Sequence, residues 1–179
     1  MMKPLVYAVL LPFLLVACAG PDARKGNTVS DPKPKPKVNL RFLYTFCRDV
    51  AAVRRFYTEG LGMQEQCVSE QWVCYECEGM QLMFFKDEDF PAVRKTFSAQ
   101  PGGGGGQDPT PSWSILIPEA DFADTVGRLQ ALKAPANMAS PKFLQDSYWS
   151  YVVLDPAGNT VEVYTELKQK PASTEWPGR

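Results

Sequence analysis

The residues that could carry chemistry in this sequence are carboxylates, cysteines, lysines and tyrosines, because the chain contains no histidine. Without histidine, neither a Ser-His-Asp nor a Cys-His catalytic group can form, and a His-ligated metal site is also impossible. A proton transfer near neutral pH would need one of the remaining titratable groups with a shifted pKa. Enzymes that depend on histidine are therefore excluded.

The five cysteines offer a second kind of chemistry. Cys74 and Cys77 have the C-x-x-C spacing of redox motifs, but they fall in a strand pattern, where an offset of three sends side chains to opposite faces. A tight turn at Glu70 and Gln71 would instead place Cys67 directly opposite Cys74. Such a pair can be oxidised outside the cytoplasm. We therefore predict a cross-strand disulfide between Cys67 and Cys74, with free thiols as the alternative.

The first 17 residues have the pattern of an export signal, in which Lys3 precedes an apolar run over residues 5–17. This run is too short to span a bilayer comfortably. It ends in Leu-Val-Ala-Cys, which resembles the bacterial lipobox, the site cleaved before a diacylated cysteine. We predict a lipoprotein signal peptide over residues 1–17 and acyl chains such as palmitate on Cys18, which would anchor the protein in the membrane. An ordinary secretory signal or an N-terminal anchor is the alternative.

Residues 18–37 are predicted to be a tether between the lipid and the folded domain. The stretch from Asp31 to Lys37 alternates proline with lysine, which favours an extended, solvated chain, although the lysines could also contact anionic headgroups. The predicted location is the bacterial cell envelope. Because Ala19 and not aspartate follows the cysteine, the outer membrane facing the periplasm is favoured in a Gram-negative cell.

The folded part, residues 38–167, has a pattern that occurs twice. In the first module, about residues 38–86, an alternating strand is followed by Asp49 as a helix cap, an apolar helix face and three further strands. The second module, about residues 112–167, repeats the strand and the helix, with Asp121 as the helix cap, and then shows two strands, over residues 148–154 and 160–165. The two modules together predict one domain built from a repeated pattern.

The connecting segments carry weaker signals. Five consecutive glycines in the linker over residues 101–107 favour a flexible joint. A short helix is predicted within residues 87–99, and residues 168–179 are predicted to be a flexible tail.

Two motifs in these modules resemble the vicinal oxygen chelate (VOC) superfamily, which includes glyoxalase I, bleomycin-resistance proteins and ring-cleaving dioxygenases. The motifs are Asp49…Phe56-Tyr57…Leu61-Gly62-Met63 and Asp155-Pro-Ala-Gly-Asn-Thr-Val-Glu-Val163. The resemblance covers nearly all of the folded part. It implies an α+β fold in which two βαβββ modules form an open, curled mixed sheet around a central cleft. It also implies four strand positions that hold a divalent metal in the enzymes.

Those four positions fall on Phe42, Met83, Ser114 and Glu162 in this sequence. Phenylalanine cannot ligate a metal, methionine is a soft donor, and a catalytic zinc needs about three protein ligands. Gln81 could contribute if the register is shifted by two residues, but only two ligands would then converge. We therefore expect no metal cofactor and no metal-dependent chemistry.

The inward-facing side chains would instead line an aromatic cleft. Strand parity gives the lining set as Phe42, Tyr44, Phe46, Gln81, Met83, Phe85, Ser114, Glu162 and Tyr164, with Trp149 or Tyr151 as additions. Apolar walls with a few polar groups are typical of small-molecule pockets, and aromatic faces bind planar or cationic ligands. The predicted function is metal-free binding of a small aromatic or cationic ligand, similar to that of the bleomycin-binding proteins.

Two alternatives remain open. Glu162 and a tyrosine could serve a lyase, isomerase or dioxygenase of the superfamily, although the missing metal ligands argue against an enzyme. Alternatively, the aromatic side chains close the cleft, and the domain is a cell-envelope scaffold or interaction module. The net charge of −1 provides no basic field for nucleic acid. Two-module members of the superfamily often pair, which leaves a homodimer open.

Overall fold

A computed structural model describes residues 40–178 of the protein. The predicted signal peptide, the predicted lipidation site Cys18 and the predicted tether lie outside the described residues. Within residues 40–178, no helix combines the length and the apolar character that crossing a membrane requires. The described chain is an α+β domain with two four-stranded mixed sheets, and the predicted fold class of two repeated βαβββ modules is confirmed.

The first module begins with a strand whose following helix has the predicted cap. Its elements are β1 (Phe42–Cys47), α1 (Val50–Arg54) continued by a π-helix (Arg55–Gly60), β2 (Glu65–Val68), β3 (Trp72–Cys77) and β4 (Met80–Lys86). The Asp49 carboxylate accepts a hydrogen bond from the Ala52 backbone N–H at 2.9 Å. The strand order is β1-β4-β3-β2, with β1 parallel to β4 and the other pairs antiparallel.

The second module repeats this topology, with two differences from the sequence prediction. Its elements are β5 (Ser112–Leu116), α2 (Glu119–Ala131), β6 (Lys142–Leu144), β7 (Tyr148–Leu154) and β8 (Thr160–Glu166), in the order β5-β8-β7-β6. Asp121 is not the helix cap, since α2 begins directly after Pro118 and leaves Asp121 in the first turn. Proline fixes φ and cannot continue a strand ladder, so the helix starts three residues earlier than predicted. The short strand β6 was not predicted.

One hydrophobic core joins the helices to one face of each sheet. Its fully buried side chains include Val53, Tyr57, Val73, Phe84, Phe122, Leu129, Val161 and Val163. Each large side chain buried in this way stabilises the fold by about 1.5–3 kcal/mol. Trp149 and Tyr151 belong to this core and are 4% and 3% exposed. They therefore do not join the cleft lining, because the alternation of β7 turns them to the helix-covered face.

The two motifs that carry the family resemblance meet inside this core. The Tyr57 hydroxyl donates a hydrogen bond of 2.9 Å to the Asp155 carboxylate. The other Asp155 oxygen accepts bonds from the backbone N–H groups of Ala157 and Asn159. Burial raises the pKa of both the Asp155 carboxyl and the Tyr57 hydroxyl. These motif residues thus connect the first helix to the β7–β8 turn and have a structural role.

The segments outside the modules pack more closely than predicted. Residues 87–99 form one turn at residues 88 and 89 and are otherwise irregular instead of helical, since Pro91 disfavours helical geometry at Phe90. Near the C-terminus, the Trp176 ring packs edge-on against Phe122 and Trp149, with ring centroids 5.6 and 5.0 Å apart. The C-terminal tail is therefore attached to the core at Trp176.

Candidate ligand-binding face

Each sheet has one face covered by helices and one opposite face, which we call the inner face. In the first sheet, Phe42, Tyr44 and Phe46 lie directly opposite Gln81, Met83 and Phe85 on the parallel strand β4. In the second sheet, Ser114 lies opposite Glu162, and Leu116 lies opposite Tyr164. Residues opposite each other in a ladder share a face. The register thus places all nine side chains predicted from strand parity on the inner faces.

The inner face of the first module carries an exposed line of aromatic side chains. Phe42, Tyr44 and Phe46, here called the aromatic row, are 57%, 64% and 42% exposed. The Phe85 ring lies 6.5 Å from that of Tyr44 and 6.3 Å from that of Phe46, and Phe90 lies 6.5 Å from Phe46 on the other side. These contacts hold the rings without burying their outer faces, so the row is available for stacking.

Sulfur atoms continue this face across the sheet. Cys67 and Cys74 are opposite each other on β2 and β3, with Cα atoms 5.2 Å apart, and the structure joins them in a disulfide. Cys74 is opposite Met83, which is in turn opposite Tyr44. The fourth described cysteine of this module, Cys77, is a free thiol, as an offset of three from Cys74 leads one to expect. The inner face of the first module is therefore apolar and polarizable around Met83, whereas Gln81 and Glu76 place polar side chains beside Phe42.

The inner face of the second module has a different character. Glu162 is 5% exposed, and each of its oxygens accepts a 2.7 Å hydrogen bond, one from the Ser150 hydroxyl and one from the Ser114 hydroxyl. A buried carboxylate is costly unless such donors compensate the loss of water. Ser150, which the sequence analysis did not single out, is fully buried and completes this arrangement. Glu162 therefore anchors three strands to one another.

The glycine-rich segment covers this second inner face. The Asn137 side-chain amide donates to the carbonyl oxygens of Gly104 and Gly105 at 3.0 and 2.9 Å. A Cβ atom at Gly104 would lie 3.2 Å from Leu144 and 3.4 Å from Val152, so the backbone lies directly on the sheet. The predicted flexible joint is instead a packed cover, because glycine allows a backbone to approach where a side chain would not fit.

Tyr148 and Tyr164 lie beside Glu162 on this face, and their ring centroids are 5.8 Å apart. Burial and the Glu162 carboxylate raise the pKa of the Tyr148 hydroxyl. Burial, Glu166 and Glu162 raise the pKa of the Tyr164 hydroxyl. Both hydroxyls therefore remain protonated at neutral pH. They suit hydrogen-bond donation better than proton abstraction.

The side chains at the metal positions of the superfamily do not fit a hard divalent cation. In the second module, the two metal positions Ser114 and Glu162 lie opposite each other. In the first module, the residue opposite Met83 is Tyr44 and not Phe42, so the register moves the equivalent position from Phe42 to Tyr44. The donor set is thus a phenol, a thioether, a hydroxyl and one carboxylate already held by two serines. Within residues 40–178, no three His, Cys, Asp or Glu side chains come together.

Two cavities lie along the seam between β1 and β5, where the two sheets approach each other. Each has a volume of about 450 Å³. One is lined by Tyr44, Phe90 and Trp113, and the other by Ser114 and Leu116. Ligand pockets typically measure about 300–1,000 Å³. The seam therefore offers space of ligand size beside the aromatic row.

Solved structures of several bacterial proteins resemble this arrangement. A glyoxalase/dioxygenase from Nostoc punctiforme aligns with a TM-score of 0.55 and 15% identity over 73% of this chain and 92% of its own. A glyoxalase/bleomycin resistance protein/dioxygenase family enzyme from Burkholderia phytofirmans aligns with a TM-score of 0.55 and 18% identity over 73% and 100%. The chain shares their fold. A glyoxalase-related enzyme from Fulvimarina pelagi has a TM-score of 0.53 and 19% identity over 72% and 88%.

The likeness to these VOC-type structures extends to the fold and not to an activity. No family model matches the sequence, and no curated protein matches it. Function therefore has to be argued from the inner faces of this chain.

Proposed function

We propose that this domain binds a small aromatic or cationic ligand, without a divalent metal, against the aromatic row of the first module. The observation that carries the proposal is the contrast in exposure: Tyr44 is 64% exposed, whereas Glu162 is 5% exposed and held by two serines. A ligand can stack on the open rings. The ligand site thus includes Phe42, Tyr44, Phe46, Gln81, Met83 and Phe85, while Ser114, Glu162 and Tyr164 border it.

A fluorescence titration with two dyes tests this proposal. Thioflavin T, a planar aromatic cation, should bind the full chain, and Tyr44→Ala should weaken binding about threefold to tenfold, since one aromatic contact contributes about 0.5–1.5 kcal/mol. Leu132→Ala removes an exposed apolar side chain at the C-terminal cap of α2, at 38% exposure against 64% for Tyr44, and is the control. Equal binding by both variants would contradict the site. An anionic aromatic dye that binds more tightly than thioflavin T would reject the cationic ligand and retain the aromatic one.

The metal-free part of the proposal has its own test. Thermal unfolding with EDTA and with Mn²⁺, Fe²⁺, Ni²⁺ or Zn²⁺ should give the same midpoint in each case, because a native site would raise it by mass action. A metal-dependent rise that is lost in Glu162→Ala would restore the enzyme alternative. The buried, doubly hydrogen-bonded Glu162 and the raised pKa of Tyr148 are the observations against that alternative.

An interaction module is the second candidate function, because the aromatic row is also an exposed apolar surface. The simplest such interaction is a homodimer formed through this face. Light scattering of the full chain in detergent would show a dimer that Phe42→Ala and Tyr44→Ala dissociate. A monomer at all concentrations would favour the small ligand.

We further propose that acyl chains on Cys18 anchor the domain in the bacterial envelope, in the outer membrane of a Gram-negative cell. The support is the sequence Leu15-Val16-Ala17-Cys18 after an apolar run. Cells fed labelled palmitate should label the protein, and Cys18→Ser should abolish this label. Cys47→Ser is the matched control, since Cys47 is a buried thiol whose pKa is raised to about 11. Label retained in Cys18→Ser would contradict the anchor.

A further inference from the structure

Three sulfur-bearing side chains line one of the two seam cavities, the one that also contains Ser114 and Leu116. They are Met63, Cys77 and Met80. All three are half-buried, and Met63 and Cys77 pack against the hydrophobic core. Thiolate and thioether sulfurs are soft donors, which bind soft cations and not the hard cations of the superfamily enzymes. This cluster therefore differs in its chemistry from the metal positions described above.

The tight turn between β3 and β4 fixes two of these side chains. Glu78 and Gly79 form this turn with φ angles of 48° and 85°, and two positive values are typical of a type I′ hairpin turn. The turn places Cys77 directly opposite Met80 in the antiparallel ladder. Side chains in such a pair share a face, and their Cβ atoms are ~4.5–5.5 Å apart. Since a metal–sulfur bond measures ~2.3 Å, one cation can bridge both sulfur atoms.

The end of the first helix brings the third sulfur to the same cavity. Gly62 has a φ of 77°, which lets the chain leave the π-helix. The Met63 backbone N–H then donates to the Tyr57 carbonyl oxygen at 2.9 Å, which holds Met63 beside the core. Methionine is unbranched and flexible, so its sulfur can adjust to a cation bound by the other two. One thiolate and two thioethers are the ligand types that select Cu(I).

The surroundings of the three sulfurs suit a monovalent cation. The other walls of the cavity are mostly apolar and include Leu61, Leu82, Ile115 and Ile117. A Cu(I) ion bound to one thiolate is neutral overall, so apolar walls add little cost of desolvation. Glu76 and Glu78 also line the cavity and attract cations, although the Arg41 guanidinium near the Gly79 carbonyl oxygen offsets part of their charge. The Glu76 carboxylate accepts a 2.6 Å hydrogen bond from the Gly79 N–H, which keeps it at the turn.

We propose that Met63, Cys77 and Met80 bind one soft monovalent cation, Cu(I), through their three sulfur atoms. The Cys77 sulfur forms a bond to the cation and releases its proton to water, while each thioether donates a lone pair. Copper remains in the +1 state, so the step needs neither an oxidant nor a reductant. Cys77 and Met80 lie on the helix-covered face of the sheet, opposite to the aromatic row. The copper site is therefore independent of the proposed function.

Competition with bicinchoninate, a coloured chelator of Cu(I), tests the site in the full chain, purified in detergent and kept free of oxygen. The wild-type chain should bind one Cu(I) ion with an affinity that Cys77→Ser lowers by more than about 100-fold, because the thiolate is the anionic donor of the three. Cys47→Ser removes the other free thiol of residues 40–178, which is buried in the core, and should leave the affinity unchanged. Equal affinities of the Cys77→Ser variant and the wild-type chain would overturn the site.

Methionine variants test the two thioethers and remain informative if Cys77→Ser fails to fold. Leucine nearly conserves the volume of methionine, so Met63→Leu and Met80→Leu should fold, and each should weaken Cu(I) binding several-fold. Met138→Leu is the matched control, since it removes a methionine that lies against the glycine-rich cover of the second module. It should leave the affinity unchanged. The same affinity in all three leucine variants would overturn ligation by thioethers.

Two further measurements identify the ligating atom and the class of cation. Burial and the nearby Glu76 carboxylate raise the pKa of the Cys77 thiol, so Cu(I) bound at neutral pH should release one proton into a weakly buffered solution. Binding without this proton would overturn ligation by the thiolate. Ag(I), which is also soft and monovalent, should displace Cu(I) from the site, whereas Zn²⁺ should not. Displacement by Zn²⁺ and not by Ag(I) would overturn the assignment to a soft cation.

Discussion

The two modules have the same strand order, but their inner faces differ in exposure and in polarity. The first presents an exposed aromatic row beside a disulfide, whereas the second buries a carboxylate between two serines beneath a glycine-rich cover. The helix-covered faces of both modules share one core. The comparison teaches that burial of one sheet face is required for the fold, while the opposite face can be left open or closed by the segment between the modules.

The largest expected loss of stability comes from a substitution that disrupts the glycine-rich cover of the second module. Gly105→Ala would drive its Cβ atom into the Ser98 carbonyl oxygen, which belongs to the backbone and cannot turn away. We expect a loss of about 3 kcal/mol in the free energy of unfolding, at the upper end for overpacking. Urea denaturation measures it. Gly103→Ala is the control, since a Cβ there meets open space and only its positive φ of 78° costs about 1–2 kcal/mol. Equal losses would contradict a packed cover.

A smaller loss in the free energy of unfolding is expected when the Glu162 carboxylate is removed. Glu162→Ala leaves the Ser114 and Ser150 hydroxyls without their acceptor and creates a cavity, so we expect a loss of about 2–3 kcal/mol. Met83→Ala, the equivalent position on the open face, should cost less, since Met83 is only half-buried. Thermal and urea unfolding would show the difference. A Met83→Ala variant that is the less stable of the two would reverse the comparison between the modules.

The disulfide should contribute about 2 kcal/mol, because it closes a short loop between residues only seven positions apart. Replacing both Cys67 and Cys74 by serine would remove this contribution to the free energy of unfolding. Replacing the free Cys77 by serine is the control and should cost less. Non-reducing mass spectrometry that finds Cys67 and Cys74 as thiols in the protein purified without reductant would contradict the bond itself.

The smallest effect on stability is expected in the aromatic row. Phe42→Ala and Tyr44→Ala should each change the free energy of unfolding by under about 0.5 kcal/mol, as is usual for exposed positions. Unchanged stability together with weaker dye binding would show that the row serves binding and does not stabilise the fold. A loss above about 2 kcal/mol would mean that the row is buried in the native protein.

Strand parity and turn position were predictable from the sequence, because both depend on near neighbours. The alternation from Phe42 to Phe46 placed the row on one face, and the turn at Glu70 and Gln71 placed Cys67 opposite Cys74. The cap at Asp49 also follows from local chemistry. The cap at Asp121 failed because the proline three residues earlier started the helix first. The strand β6 was missed because three residues are too few to show a period.

The candidate site was predictable only in part. Parity selected all nine inward side chains, but it could not show that Glu162 is sealed by Ser150 and Ser114 while Tyr44 remains open. It also could not show that Gly102 and Gly104 pack on the second sheet, since five consecutive glycines are equally typical of a flexible linker.

The sequence by itself determined the order of the elements except β6, the shared face of the nine inward side chains and the absence of histidine chemistry, since these depend on residue type and short-range period. Only the tertiary structure decided which inner face is open. That decision depends on contacts between distant segments, such as Asn137 with Gly104 and Tyr57 with Asp155. Their partners are brought together by packing of the whole core, which no local pattern encodes.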